Sequence, residues 1–353
     1  MKKGGWPTRK KILLTVSILV IVMCACSSKT DTKLPITEVR YDLLNTVITI
    51  SIYEDVSDIV FSKVFDKIAD IEKTMSAVST DSEISSIAAM AGKSPVKLSA
   101  EAYYVIKEAY DITVASNGAF NLVISPLVKL WGVNTPSPHV PNQADIERVQ
   151  GLLDYSGVVL SDADRSVYLP NEGMSIDLGA IAKGHAGDAA AEIVRGYGVK
   201  HAVLDLGGNI VAIGGRLDGT DWRIGVRNPI VGESGYIGVL YVQDKAVVTS
   251  GGYERYFESD GQFYHHIFDG KTGYPADSGL LSVTVISASS IDADKLSTVA
   301  FVLGVRDGMD FLKAYDDTEA IFITTERVIY LTPGITNTFV VSDDRFRIEA
   351  EQK

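Results

Sequence analysis

Four segments carry residue types and spacings that could do chemistry. In Ser175-Ile-Asp-Leu-Gly-Ala-Ile-Ala-Lys-Gly184, Asp177 sits in what reads as a short strand over 175–178, Gly179 makes a turn, and Lys183 enters a helix over 180–195. Free backbone N–H groups at a helix start suit an anionic group such as phosphate, and a lysine adds a point charge. The same letters also describe a tight strand-to-helix turn with Lys183 in solvent. Neither the GxxxxGK[ST] of a Walker loop nor the GxGxxG of a dinucleotide fold is present. In Ser290-Ile-Asp-Ala-Asp-Lys-Leu-Ser-Thr298, Asp294 and Thr298 stand four apart, on one face of a helix beginning near Asp292 or Asp294. A carboxylate and a hydroxyl so placed suit a hard cation such as Mg²⁺. Taken alone, a plain N-cap with an acidic first turn is the simpler account.

His265 and His266 precede an Asp-Gly-Lys-Thr-Gly turn. On a strand adjacent side chains point to opposite faces, so the pair does not share a metal; one histidine as a general base and one in a structural role is the natural division. Asn117-Gly-Ala-Phe-Asn121, followed by Ser125-Pro-Leu-Val-Lys-Leu-Trp-Gly132, suits stacking on a flat ring and equally a capped helix end with core residues.

These segments need elements to hold them. Ile48, Ile50 and Ile52 alternate with Thr49 and Ser51 at the end of a β-favouring stretch over 39–53, and helical spacing marks 58–75 and 99–116, the latter capped by Ser99. Beyond these, strands read at 202–206, 210–213, 236–242, 246–250 and 281–287, with Gly207-Gly208 and Gly214-Gly215 as tight turns. Mixed helix and antiparallel strand is α+β. The Pro-rich 135–141 stretch is the one candidate for an internal boundary.

The 353 residues carry 33 basic and 45 acidic side chains, a net charge of −12, which argues against a nucleic-acid footprint. Both cysteines, Cys24 and Cys26, lie near the N-terminus, so the folded body has no disulfide, CxxC or cysteine–zinc site. Lys2, Lys3, Arg9, Lys10 and Lys11 precede a short apolar run over 12–23, the pattern of a secretory signal. Ala25-Cys26 is similar to a bacterial lipobox; Cys24, behind Met23, fits less well. The expectation is a signal peptide over 1–25, lipid on Cys26, a linker over 26–36, and a protein exported and tethered at the outer face of the cell membrane or in the periplasm. Loss of the signal leaves 28 basic and 45 acidic residues, a net of −17.

In order along the chain, several motifs together resemble the FAD:protein FMN transferase (ApbE) family. They are Asp81-Ser-Glu-Ile84, Gly118-Ala-Phe-Asn121, Leu130-Trp-Gly132, Asp177-Leu-Gly-Ala-Ile-Ala-Lys-Gly184, Asp205-Leu-Gly-Gly-Asn209, Ser250-Gly-Gly-Tyr-Glu-Arg-Tyr256, His266-Ile-Phe-Asp…Thr272-Gly-Tyr-Pro275 and Ala293-Asp-Lys-Leu-Ser-Thr298. The resemblance implies a single two-lobed α+β unit over 37–353, with mixed and antiparallel sheets and packed helices. It implies transfer of FMN from FAD to a threonine or serine of an Asp-x-x-Thr/Ser-Gly-Ala-Thr/Ser segment on an acceptor protein, a membrane redox subunit or electron-transfer lipoprotein, with release of AMP. Matched position by position, Mg²⁺ falls to the Ala180 carbonyl, Asp294 and Thr298, with Ser297 nearby. FAD falls to Leu44, Val78, Ala119, Phe120, Asn121, Asp177, Lys183 and Phe268, and His266 is the first candidate base with Asp177 the second. The family usually has Asp at Asn121, an aromatic near Val78 and often Met at Leu44. Two rival readings are a Mg²⁺-dependent FAD pyrophosphatase and a flavin-binding lipoprotein without catalysis.

Overall fold

Ile48, Ile50 and Ile52 are fully buried, as their alternation predicts, on a strand near one end of a nine-stranded sheet. The structure, a computed structural model, describes residues 34–133 and 135–349. The expected signal peptide, Cys26 and most of the 26–36 linker lie outside them. The sheet runs in the order Ile36–Leu43, Thr46–Ile52, Ala202–Leu206, Asn209–Ile213, Ala246–Gly251, Leu280–Ser287, Glu319–Thr324, Val328–Leu331, Arg347–Ile348. Neighbours are antiparallel except the last pair.

Seven α-helices occur among the described residues: α1 (Ile59–Met75), α2 (Glu83–Ala89), α3 (Ala100–Ala115), α4 (Ser125–Trp131), α5 (Gln143–Gln150), α6 (Ala182–Gly196) and α7 (Ser290–Leu312). Apolar faces of α1, α3, α6 and α7 share one core with the sheet residues Ala246, Val248, Val283, Val285, Ala320 and Phe322. The alternate residues Val247, Ile286, Ile321 and Ile323 face the other way, against a three-stranded sheet of Trp222–Arg227, Tyr236–Val242 and Phe339–Val341. The period of two thus feeds two cores from one set of strands, and the α+β expectation holds.

A smaller core gathers α4, α5 and Phe268 around Trp131, whose indole N–H donates to the Gly273 carbonyl at 3.0 Å. Residues 135–141 therefore join two helices of one core, so the expected boundary there is not a boundary. The stretch over 39–53 is a hairpin rather than one strand, because Leu44 and Asn45 both take φ of 53° between two paired strands. Leucine at positive φ is rare, so composition offers no turn signal there. Residues 175–178 pair with no strand; the Asp177 N–H donates to the Leu122 carbonyl at 3.0 Å. Helix α7 is capped by Ser289, earlier than expected, and runs past the expected end through a break at Gly304, with φ 80°.

The joint between α6 and α7 positions everything that follows. A Cβ on Gly184 would collide with the Ser290 carbonyl and lie 2.7 Å from both Asp294 Cβ and Ile291 Cα. Glycine at 184 is what allows the two first turns to touch. Replacing it, Gly184→Ala, should cost about 1–3 kcal/mol through overpacking, read as a lower midpoint in urea unfolding; an unchanged midpoint would mean that the two helices give way freely.

Candidate active site

Gly184 lies in the first turn of α6, where N–H groups have no partner within the helix, and its N–H donates to Asp294 Oδ2 at 2.8 Å. The Ala180 carbonyl is left without a donor among the described residues. In return, Asp188 of α6 caps the start of α7: its carboxylate accepts from the Ser290 and Ile291 N–H groups at 2.7 and 2.9 Å and from the Ser289 hydroxyl at 3.0 Å. Each helix supplies a carboxylate to the other's N-terminal donors.

Ala180, Asp294 and Thr298 line one cavity of about 160 Å³ together with Lys183, Asp177 and His266. Phe120, Asn121 and Phe268 line its other side. Carbonyl, carboxylate and hydroxyl oxygens are hard donors of the kind Mg²⁺ takes while keeping waters for the rest of its shell. Among the described residues there is no cluster of three His, Cys, Asp or Glu that could hold a metal; the candidate set contributes a single carboxylate. Ser297 does not line the cavity. Its hydroxyl donates to the Asp294 carbonyl at 2.8 Å and lies 2.8 Å from the Ser250 hydroxyl, which is 3.3 Å from that of Thr298.

Lys183 donates to Asn209 Oδ1 at 2.9 Å, so its charge is held in the cavity wall rather than in solvent. The fully buried Asn209 amide nitrogen makes no well-aligned hydrogen bond, but it acts as a donor toward the Asp294 carboxylate. Burial pushes the Asp294 carboxyl above the ordinary carboxylate range, against the pull of Lys183 and the Gly184 N–H. Burial also raises Asp177, whose Oδ1 accepts from the Gly179 N–H at 2.7 Å.

His265 ends the strand Gln262–His265 and His266 lies just beyond it, so strand alternation does not separate them; their surroundings do. His265 Nε2 donates to the Ala276 carbonyl at 3.1 Å and its ring meets Phe301 edge-on at 5.5 Å, a structural role. His266 lines the cavity. Its Nδ1 lies 3.1 Å from the Arg255 carbonyl, which only accepts, so Nδ1 carries the proton and Nε2 is the acceptor. Burial first, and then the Arg255 guanidinium, push its pKa down to about 3.

Not every expected residue reaches this cavity. Leu44 lies at the hairpin turn and Val78 is 92% exposed on the loop after α1; neither lines it. Asn121 does, but its side chain braces the loop, donating to the Leu153 carbonyl and accepting from the Val123 N–H, both at 3.0 Å. Trp131 is wholly buried in the small core, the alternative the 125–132 segment also offered. Residue chemistry alone missed Asn209, Ser250, Glu254 and Arg255. All four fall inside quoted motifs, which was the available signal.

The ApbE family model matches residues 44–322. The chain belongs to the ApbE family. It is 38% identical over 290 residues to a FAD:protein FMN transferase of Klebsiella pneumoniae, covering 82% of this chain and 90% of that one. It is 34% identical over 301 residues to a FAD:protein FMN transferase of Treponema pallidum, covering 81% and 83%. The crystal structure of the ApbE protein from Thermotoga maritima superposes with a TM-score of 0.79 at 28% identity, covering 86% of this chain and 99% of that one. The flavin transferase ApbE from Vibrio cholerae gives 0.74 at 25% identity, covering 89% and 97%. By family the chain is an enzyme, a transferase.

The depressed His266 has a testable consequence for stability. Below the unfolded pKa of about 6.5 the unfolded chain takes up a proton that the native imidazole refuses, so native stability falls with pH until about 3. Relative to His266→Gln, the wild type should lose up to about 1.4 kcal/mol per pH unit between pH 6.5 and 4.5, measured by denaturant titration at each pH. A constant difference between the two proteins would show that His266 titrates normally.

Proposed function

We propose that this protein transfers FMN from FAD to a threonine or serine hydroxyl of an acceptor protein, in a Mg²⁺-dependent reaction that releases AMP. The observation that supports it most is the convergence of the unclaimed Ala180 carbonyl, Asp294 and Thr298 on one cavity with Lys183. Held by those three residues, Mg²⁺ would offset charge on a pyrophosphate. Lys183, fixed by Asn209, adds a positive charge to the same wall. An acceptor oxygen forms a bond to the FMN phosphorus, the bridging P–O bond breaks, and its electron pair leaves with AMP. The acceptor proton goes to His266 Nε2. A pKa of about 3 makes this imidazole by itself a poor base, but an anionic pyrophosphate beside it raises that pKa. Asp177, its oxygen engaged by Gly179, is the second candidate. A buried site also excludes water that would otherwise compete with the acceptor.

The acceptor is proposed to carry an Asp-x-x-Thr/Ser-Gly-Ala-Thr/Ser segment. Incubation with FAD, Mg²⁺ and a protein bearing that segment should yield a fluorescent band on a denaturing gel and an equal amount of AMP. Free FMN and AMP without a labelled band would identify a pyrophosphatase, and intact FAD would identify a binding protein. Asp294→Asn keeps an oxygen for the Gly184 N–H but removes the charge; it should reduce turnover at least about a hundredfold with little change in thermal melting. Full activity in that variant would exclude Asp294 as a metal ligand.

We further propose export and lipid attachment at Cys26, supported by the basic and apolar N-terminal pattern. Among the described residues, no helix is long and apolar enough to cross a membrane. Cys26→Ala should move the protein from the membrane to the soluble fraction; an unchanged distribution would refute lipidation there.

A further inference from the structure

A second cavity, of about 580 Å³, adjoins the first and shares Lys183, Glu254 and Arg255 with it. Its most telling wall is the strand Trp222–Arg227. That strand pairs only with Tyr236–Val242 and is the edge of the three-stranded sheet among the described residues. Arg223, Ile224, Gly225 and Arg227 line this cavity, and Val226 lines a smaller one that continues it. Side chains on a strand alternate between faces. A wall built from consecutive residues is therefore the backbone edge itself, with its unpaired N–H and C=O groups.

The charge of this cleft is the reverse of the whole chain's. Lys183, Arg223, Arg227 and Arg255 face only Asp205 and Glu254, in a protein of net charge −12. Arg227 is exposed and lies over the Tyr253 ring, its guanidinium 5.4 Å from the centroid; Arg223 is exposed likewise, 5.9 Å over Tyr241. Gly207-Gly208, with φ of 66° and 90°, also lines the cleft; Thr46 fills the space beside Gly207, and Gly208 leaves its backbone open there.

We propose that this cleft docks the acceptor as an extended, acidic, hydroxyl-bearing segment that adds a strand to Trp222–Arg227 and passes its hydroxyl across Lys183 into the first cavity. Main-chain hydrogen bonds to the free edge supply the grip, and Arg223 and Arg227 select for acidic side chains. The assignment rests on the transferase reading for the role of the segment, while the docking itself is measured independently of turnover.

The test uses the full chain with FAD and a fluorescein-labelled peptide of roughly twelve residues built on the Asp-x-x-Thr-Gly-Ala-Thr pattern. Fluorescence anisotropy gives its Kd. The double variant Arg223→Glu, Arg227→Glu should weaken peptide binding at least about tenfold, and Arg223→Gln, Arg227→Gln by less, with melting temperatures near wild type. A peptide N-methylated at alternate backbone amides should bind at least about tenfold more weakly to the wild type. The KM for FAD and the rate of FAD consumption without acceptor should not change in either variant. A peptide that does not bind, binds the glutamate variant equally well, or tolerates N-methylation overturns the proposal. A KM for FAD that rises in step with the peptide Kd overturns it too, by giving the cleft to the nucleotide. If FAD is never consumed, the transferase reading fails while the anisotropy still decides the docking.

Discussion

The first turns of α6 and α7 exchange carboxylates, and the candidate site is built around that exchange. Asp188 satisfies the N-terminal donors of α7, and Asp294 takes the Gly184 N–H of α6. Two helices can cap one another only at near-contact distance, which the missing Cβ of Gly184 permits. One consequence is mechanical: two long helices are locked at one end, on the face of the sheet that carries the main core. The other is chemical. The Ala180 carbonyl, which precedes the start of α6 and takes no donor among the described residues, lines the cavity with Asp294 and Thr298, and the Gly184–Asp294 contact holds the two first turns together there. The joint thus creates an oxygen-donor set that neither helix has by itself.

Burial then sets the electrical character of that set. Asp177, Asp294 and Glu254 are all pushed toward their neutral forms by burial, and His266 is held neutral. Groups so buried favour ligands that bring compensating charge. A cation beside Asp294 and an anion beside Lys183 and His266 each relieve the other's desolvation. An acidic protein can take an anionic dinucleotide on these terms, since the sign that matters is local. The neighbouring cleft, with its arginines along a free strand edge, extends the same local reversal away from the cavity.

Much of this was legible in order along the chain. The isoleucine alternation at 48–52, the Ser99 cap, the strands at 202–206 and 236–242 and the α+β class follow from periodicity and capping, which act over a few residues. The Leu44-Asn45 turn did not, because leucine at positive φ gives no warning and the one asparagine beside it is too weak a signal alone. Residues 175–178 read as a strand from their apolar content but have no partner to pair with. The motif resemblance put Asp177, Lys183, His266, Asp294 and Thr298 together, and the fold does so too. It also grouped Leu44 and Val78 with them, whereas neither lines the cavity.

What the sequence by itself determined is which residues could take part: a carboxylate and a hydroxyl four apart on a helix, a lysine behind a glycine turn, a histidine beside a second one. Those are local relations, set by backbone geometry. What only the tertiary structure decided is that residues 180–184 meet residues 290–298, that the Ala180 carbonyl is free, that Ser297 is turned aside to Ser250, and that Trp222–Arg227 is an edge beside the site. These depend on the steric fit of Gly184 and on which strands find partners in the sheets. Both are properties of contacts between residues far apart in the chain, and no spacing along it encodes them.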